Sequence, residues 1–328
     1  MSIDRARLTR RAALWGLATP YLLGSRRASA DEPWLGRPIR FIVPFTPGGP
    51  TDAVARLVTL RLNERLRANL VVENVGGAGG GLGMERLTRA APDGSAIGLG
   101  TTGTHGINPH LYARLPYDPV RGFTPVSMLI EHINMLVLRG DHPARNLADL
   151  LAAARSGTVT YGSAGNGSSN HLSAELLGMQ AGVQMQHVPF RGSGPSMAEV
   201  LAGRIDFMFD TPAALPLVQG GNARVIAVTS TGRHPLLPDV PAIAETLPSY
   251  KVIGWFGVFG PAGAARAHRG DPEWRHRRRS GRAGNPGAPS RDGAGPRIQF
   301  ARGIGRAGRP RTMLSGGPVI RQAGLRAG

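Results

Sequence analysis

Apolar and polar positions change period again and again along the chain. Residues 39–44 are rich in Ile, Phe and Val and read as a strand, and after a Pro/Gly loop Val54, Leu57, Val58, Leu62 and Leu66 recur at helical spacing. Thr51 or Asp52 is placed to cap that helix. The alternation continues with a strand at 70–75, a glycine loop at 76–81, a helix at 82–90, a Pro92-Asp93-Gly94 turn and a strand at 96–99. Further on come a strand at 133–138, a helix at 147–155 capped by Asn146, a strand at 159–162 and a helix at 171–180. A strand at 185–188, a helix at 196–202 and strands at 206–209 and 225–228 complete the pattern. Strands alternating with amphipathic helices predict an α/β fold with a mostly parallel sheet covered on both faces. No fixed-period repeat is present.

Composition changes this picture mainly at the two ends. The formal charge of +18 suggests a nucleic-acid partner, but it is unevenly spread. Residues 1–30 carry six Arg against one Asp, residues 264–312 carry thirteen Arg against three acids, and residues 313–328 add two Arg, which leaves +1 for residues 31–263. A DNA-binding face has no support in that near-neutral stretch. The chain has no cysteine, so thiolate metal sites, redox dithiols and thiol nucleophiles are excluded.

Residues 1–30 read as a secretory signal: a basic start ending in Arg10-Arg11, an uncharged stretch over 12–24, and Ala28-Ser29-Ala30 as a small-residue cleavage site. Arg10-Arg11 fits either a twin-arginine or a general export route. The uncharged stretch falls short of the roughly 20 residues that span a bilayer as a helix. The mature protein is therefore expected in the periplasm, without its first 30 residues.

In a wound α/β fold, function gathers at the carboxyl ends of strands, where helix N-termini also point. Two small, donor-rich loops fall there: Phe45-Thr46-Pro47-Gly48-Gly49-Pro50-Thr51-Asp52, and Ser163-Ala164-Gly165-Asn166-Gly167-Ser168-Ser169-Asn170-His171. Their glycines allow backbone N–H groups to approach an anion closely.

Together with Glu73-Asn74-Val75-Gly76-Gly77-Ala78-Gly79-Gly80 and Val188-Pro189-Phe190-Arg191-Gly192, these loops give four ordered motifs. In this combination the chain resembles the Bug-type periplasmic solute receptors of tripartite tricarboxylate transporters, from about residue 35 to 263. The resemblance implies a two-lobed periplasmic-binding-protein-like fold with a ligand cleft between the lobes. It implies a small carboxylate ligand, the membrane components of the transporter as partners, no chemical turnover and no cofactor or metal. Lobe one is expected over 31–130 plus about 250–263, and lobe two over 131–249, in a monomer with no specific nucleic-acid partner.

The resemblance also implies site roles. Phe45, Gly48, Gly49 and Thr51 would meet one ligand carboxylate, with Asp52 capping the helix or ordering the loop. Ser163, Ser168 and Ser169 would approach from the other lobe, with Thr101 and Thr102 as further hydroxyls. His171 is expected to orient its loop, and Asp210 either accepts from a ligand amine or orders the next turn. Arg191 is expected in an ion pair, and Trp255 and Phe256 in core packing.

Two rival functions remain open in the sequence. Ser163, His171 and Asp210 are the residue types of a hydrolase triad, although Tyr161 stands where a nucleophile elbow needs its first glycine. The Arg-rich end could make the protein an interaction module that binds polyanions. Gly98-Leu99-Gly100-Thr101-Thr102-Gly103 matches a dinucleotide fingerprint in letters but does not open a helix. His105, His110, His132, His142, His171 and His187 lack metal-site spacing.

The family pattern fails at 264, where amphipathic helices completing lobe one are expected. Residues 264–315 are instead Arg/Gly/Pro-rich with few large apolar residues, a composition that predicts disorder. The pattern returns as Gly317-Pro318-Val319-Ile320-Arg321-Gln322-Ala323-Gly324-Leu325, so that 316–328 reads as a remnant of the family's last helix. Loss and recovery of pattern in this way is what two compensating frameshifts would produce, and the expectation for 264–315 is a shifted reading frame, the alternative being a genuine segment of this composition.

Overall fold

A computed structural model describes residues 37–264. The expected leader, the Arg-rich stretch and the terminal remnant lie outside the described residues.

The described chain begins with β1 (Pro38–Val43), α1 (Pro50–Leu66), β2 (Asn69–Asn74), α2 (Gly81–Thr88) and β3 (Ala96–Thr101). A π-helical turn at Gly103–Ile107 leads into α3 (Asn108–Leu111) and then β4 (Phe123–Ile133). Next come β5 (Met135–Arg139), α4 (Leu147–Ser156), β6 (Thr160–Ser163), α5 (Ser169–Ala181), β7 (Gln186–Pro189) and α6 (Ser193–Leu201). The last elements are β8 (Phe207–Asp210), α7 (Leu215–Gln219), β9 (Ala223–Val228) and β10 (Ile253–Pro261).

These strands form two five-stranded sheets, ordered β2-β1-β3-β10-β4 and β7-β6-β8-β5-β9, each the centre of one lobe. The expected mostly parallel pattern is corrected here. β10 runs antiparallel to both its neighbours, and so does β5. The parallel pairs are β1 with β2 and β3, and β6 with β7 and β8. The physical reason is the route of the chain: it leaves the first sheet by β4, builds the second, and returns by β10, which lies between β3 and β4.

Apolar residues fill both faces of each sheet. In the first, Phe41, Val43, Leu99 and Val258 pack under Ala55 and Val58 of α1, while Ile42, Trp255 and Phe259 pack with Met84 and Leu87 of α2 on the opposite face. Leu57 and Leu66, expected on the inner face of α1, are exposed. The second sheet is covered by α4 and α5 on one side and α6 on the other.

The two crossings between the sheets, at Asn134 and before Ile253, are tied together by one buried knot. The Asn134 amide donates to Thr229 Oγ1 at 2.8 Å, the Thr229 hydroxyl donates to the Val252 carbonyl at 2.7 Å, and the Val252 amide donates to the Thr229 carbonyl at 3.1 Å. The Asn134 side-chain amide continues to Ser173 Oγ on α5 at 3.0 Å. Asn134, Ser173 and Thr229 are completely buried. Both crossings are thus fastened to lobe two.

Two histidines are sealed inside the first lobe. His105 stacks on Phe259 at 4.3 Å, and His132 packs against Phe256 at 4.6 Å. Each uses Nδ1, with Thr104 Oγ1 at 2.8 Å and the Ile133 carbonyl at 3.1 Å respectively, and each buries Nε2 without a partner. Burial pushes His105 down to about 3 and His132 down to about 4. The unfolded chain then takes up these protons first as pH falls below about 6.5. Stability from the two rings is complete above that pH and is lost as pH falls towards 4. Melting temperature should fall over that window, and His105→Phe should make the fall shallower without lowering the plateau above pH 7 by a comparable amount.

Candidate functional site

The first turns of three helices meet between the lobes. Pro50 and Thr51 open α1 from the first lobe, while Ser169 and Asn170 open α5 and Ser193 opens α6 from the second. These residues, with Phe45, Thr101, Ala164, Ser168, Thr211 and Phe256, line a narrow cavity of about 30 Å³. That is room for about one or two waters. No described lining residue is charged. First-turn amides have no acceptor within their own helix, and each helix adds roughly half a positive charge at its start. The cavity therefore offers an anion hydroxyls, amides and three converging dipoles, with Phe45 and Phe256 as apolar walls.

Of the residues expected at the site, Phe45, Thr51, Thr101, Ser168 and Ser169 line this cavity. The others support it from behind. The cap of α1 is Gly49, rather than Thr51 or Asp52, because the helix starts at Pro50, earlier than its apolar spacing suggests. Gly49 backs onto Ser193 and Gly194, and the Gly48 amide donates to Asp52 Oδ2 at 3.1 Å, so that amide is already engaged. Asp52 also accepts from Arg56 Nε at 2.9 Å and from Asn74 Nδ2 at 3.0 Å. Burial works to raise the Asp52 pKa, but Arg56, the Gly48 amide and Asn74 outweigh it and hold the carboxyl below its ordinary value. Asp52 is a loop brace.

Thr102 lies off the cavity because its hydroxyl oxygen accepts from the Trp255 amide at 2.7 Å and fixes β3 to β10. Ser163 is completely buried, with Oγ 2.7 Å from His187 Nε2 and accepting from the Gly165 amide at 3.0 Å. His171 accepts from the Gly167 amide through Nδ1 at 3.3 Å, and its own amide donates to the Ser168 cap. The serine's histidine partner is therefore His187, not His171, and the hydrolase triad is not assembled. Burial, with His171 adding to it, pushes His187 down to about 3.

Arg191 is exposed and makes no ion pair among the described residues; its carbonyl accepts from the Thr46 amide across the lobes at 3.2 Å. Trp255 packs in the core as expected, whereas Phe256 reaches the cavity as well as the core. Sequence reasoning also missed Pro50, Ala164, Asn170, Ser193 and Thr211 as lining residues. Ser193 had a legible signal, since it opens a helix directly after the Arg191-Gly192 motif.

Asp210 sits beneath the cavity at the end of β8. Its Oδ1 accepts from the amide of the lining residue Thr211 at 2.8 Å. Burial pushes this carboxyl up to about 7, against the lowering effect of that amide.

A family model described as tripartite tricarboxylate transporter family receptor matches residues 54–268. A Pseudomonas sp. (strain P51) protein of the tcbD-tcbE intergenic region is 38% identical over 269 residues, covering 80% of each chain. Among solved structures, MatC of Rhodopseudomonas palustris with bound malate is 37% identical with a TM-score of 0.67, over 70% of this chain and 79% of that one. A second R. palustris protein, solved with adipate, gives 36% and 0.68 over 70% and 79%. The periplasmic binding protein BugD gives 32% and 0.67 over 74% and 86%.

The raised Asp210 carboxyl generates a signed expectation. Between pH 4 and 7 the unfolded chain loses this proton first, so the group's contribution to stability falls as pH rises through that window. Asp210→Asn should raise the melting temperature at pH 8 and leave it unchanged at pH 4, as read by thermal unfolding at the two pH values.

Proposed function

The chain belongs to the tripartite tricarboxylate transporter receptor family, a class of periplasmic solute-binding proteins, and from that premise we propose that its cleft binds a small aliphatic dicarboxylate. The observation that carries this reading is the convergence of the α1, α5 and α6 starts on one uncharged, hydroxyl-lined cavity. Dipoles from two lobes suit an anion with charge at both ends, and Phe45 and Phe256 suit a methylene spacer. The malate and adipate bound by the two similar R. palustris proteins are of this class.

Thr51 and Ser193 act as donors from opposite lobes, with the Ser169 and Asn170 amides beside them. An N–H or O–H donor to a carboxylate is charge-assisted, yet weaker than a bidentate arginine clamp, which suits a receptor that has to release its cargo. A cavity of about 30 Å³ is too small for such a ligand, so the lobes separate to admit it and the bound state is held by closure. Ligand favours the closed state only by its differential affinity for it.

In this reading the chain is exported by its leader, is cleaved near Ala30, works as a monomer, and hands its ligand to the membrane components of the transporter without altering it. Nucleic acid has no part. The near-neutral charge of residues 31–263 and the unassembled Ser163, His171 and Asp210 support binding over the two rival functions.

A panel of dicarboxylates, tricarboxylates and amino acids, screened by thermal shift and calorimetry, tests the proposal. A C4 to C6 dicarboxylate should raise the melting temperature and be recovered unchanged, since a ligand at 100 times its Kd stabilises by about 2.7 kcal/mol. Thr51→Val and Ser193→Ala should each weaken that binding by roughly tenfold or more. Consumption of the ligand, or no shift with any dicarboxylate, would overturn it.

A further inference from the structure

Closure of the cleft brings backbone against backbone. At one lip, the helix start Ser193-Gly194 lies over Pro47-Gly48-Gly49 of the opposite lobe. A methyl group built on Gly194 would stand 3.1 Å from the Pro47 carbonyl oxygen and 3.2 Å from the Gly48 carbonyl carbon. These are fixed backbone atoms, which cannot rotate away as a side chain does. Gly194 is the second residue of α6 and follows the lining residue Ser193, so its separation from the first lobe is tied to the width of the cavity. The Thr46 amide donating to the Arg191 carbonyl at 3.2 Å crosses at the same lip, two residues before the start of α6.

We infer that Gly194 is a positioning residue for ligand capture: its lack of a side chain lets α6 approach the 47–49 backbone closely enough for Ser193 and Thr51 to engage one ligand together. This rests on the receptor reading above. Nothing in the α6 backbone itself demands glycine at this place, because Gly194 is helical and its φ lies outside the left-handed region. Alanine is the better helix former there. The requirement arises only across the closed cleft, so the effect on folding and the effect on closure have opposite signs.

The test compares the full chain with its Gly194→Ala and Gly194→Val variants, and with Gly232→Ala as a control, since no atom lies within 4 Å of a methyl built on Gly232. Malate and adipate are the probes. Gly194→Ala should keep or raise the unliganded melting temperature while weakening Kd roughly tenfold, the cost expected when one methyl overfills a packed contact. Gly194→Val should weaken it further, and Gly232→Ala should leave it unchanged.

A second readout is independent of ligand identity. The native chain has no cysteine, so Arg61→Cys in lobe one and Arg155→Cys in lobe two take a single pair of spin labels. The distance distribution between the labels should shift towards more separated lobes in Gly194→Val, with or without ligand. If the parent chain binds neither probe but the distances shift, the dicarboxylate reading fails and this inference stands. If the Gly194→Ala Kd stays within twofold of the parent, or the Gly194→Val distances match the parent's, Gly194 does not limit closure.

Discussion

An anion held by helix starts and hydroxyls, with no cation among the described lining residues, is held only while several weak donors act at one point. That constraint runs through the whole described fold. α1 belongs to the first lobe, α5 and α6 to the second, and the first turn of α1 is separated from those of α5 and α6 by more than a hundred residues of chain. Two β-sheets have to place them within one narrow cavity. The brace at Asp52, the Ser168 cap and the Ser163–His187 contact each hold a loop in position so that neighbouring groups face inwards.

Much of this arrangement was legible in the sequence, and the failures have identifiable causes. The strand and helix that flank residues 45–52 announce themselves by a change from short apolar runs to helical spacing. β4 was missed because it contains Pro125 and because its pairing with β10 slips twice, between Phe256 and Gly257 and between Val258 and Phe259. Each slip interrupts the two-residue alternation on which a strand is recognised. The site residues were harder to sort for a different reason. A hydroxyl that lines the cavity and one that braces the backbone are the same chemical group, and Thr101 does both, since its Oγ1 also accepts from the Thr104 amide at 3.2 Å, so lining residues differ from Thr102 or Ser163 only in the direction in which each points. Asp52 and Asp210 show the same limit, since both are buried carboxyls with structural hydrogen bonds at the edge of the cleft.

Burial without full pairing recurs around the hinge and the core. Asn134 leaves Oδ1 without a partner within the knot that joins the two crossings, and His105 and His132 each bury an unpaired Nε2. Unmet hydrogen-bonding capacity in the interior costs stability. Among the described residues it also occurs at Thr46 beside the cleft and at Gln180 and Ser196 of lobe two, while the cavity lining combines neutral hydroxyls with the apolar Phe45, Pro50, Ala164 and Phe256.

The knot of Asn134, Thr229 and Val252 has a consequence for how the molecule is read from outside. Because both crossings are anchored to the second half, they belong to its framework, and bending between the halves falls on the first-sheet side of Asn134 and Val252. A contact confined to either half would meet the same surface whether the cleft is open or shut. Rigid closure leaves the surface of each half unaltered, so only a contact that spans both halves registers their approach.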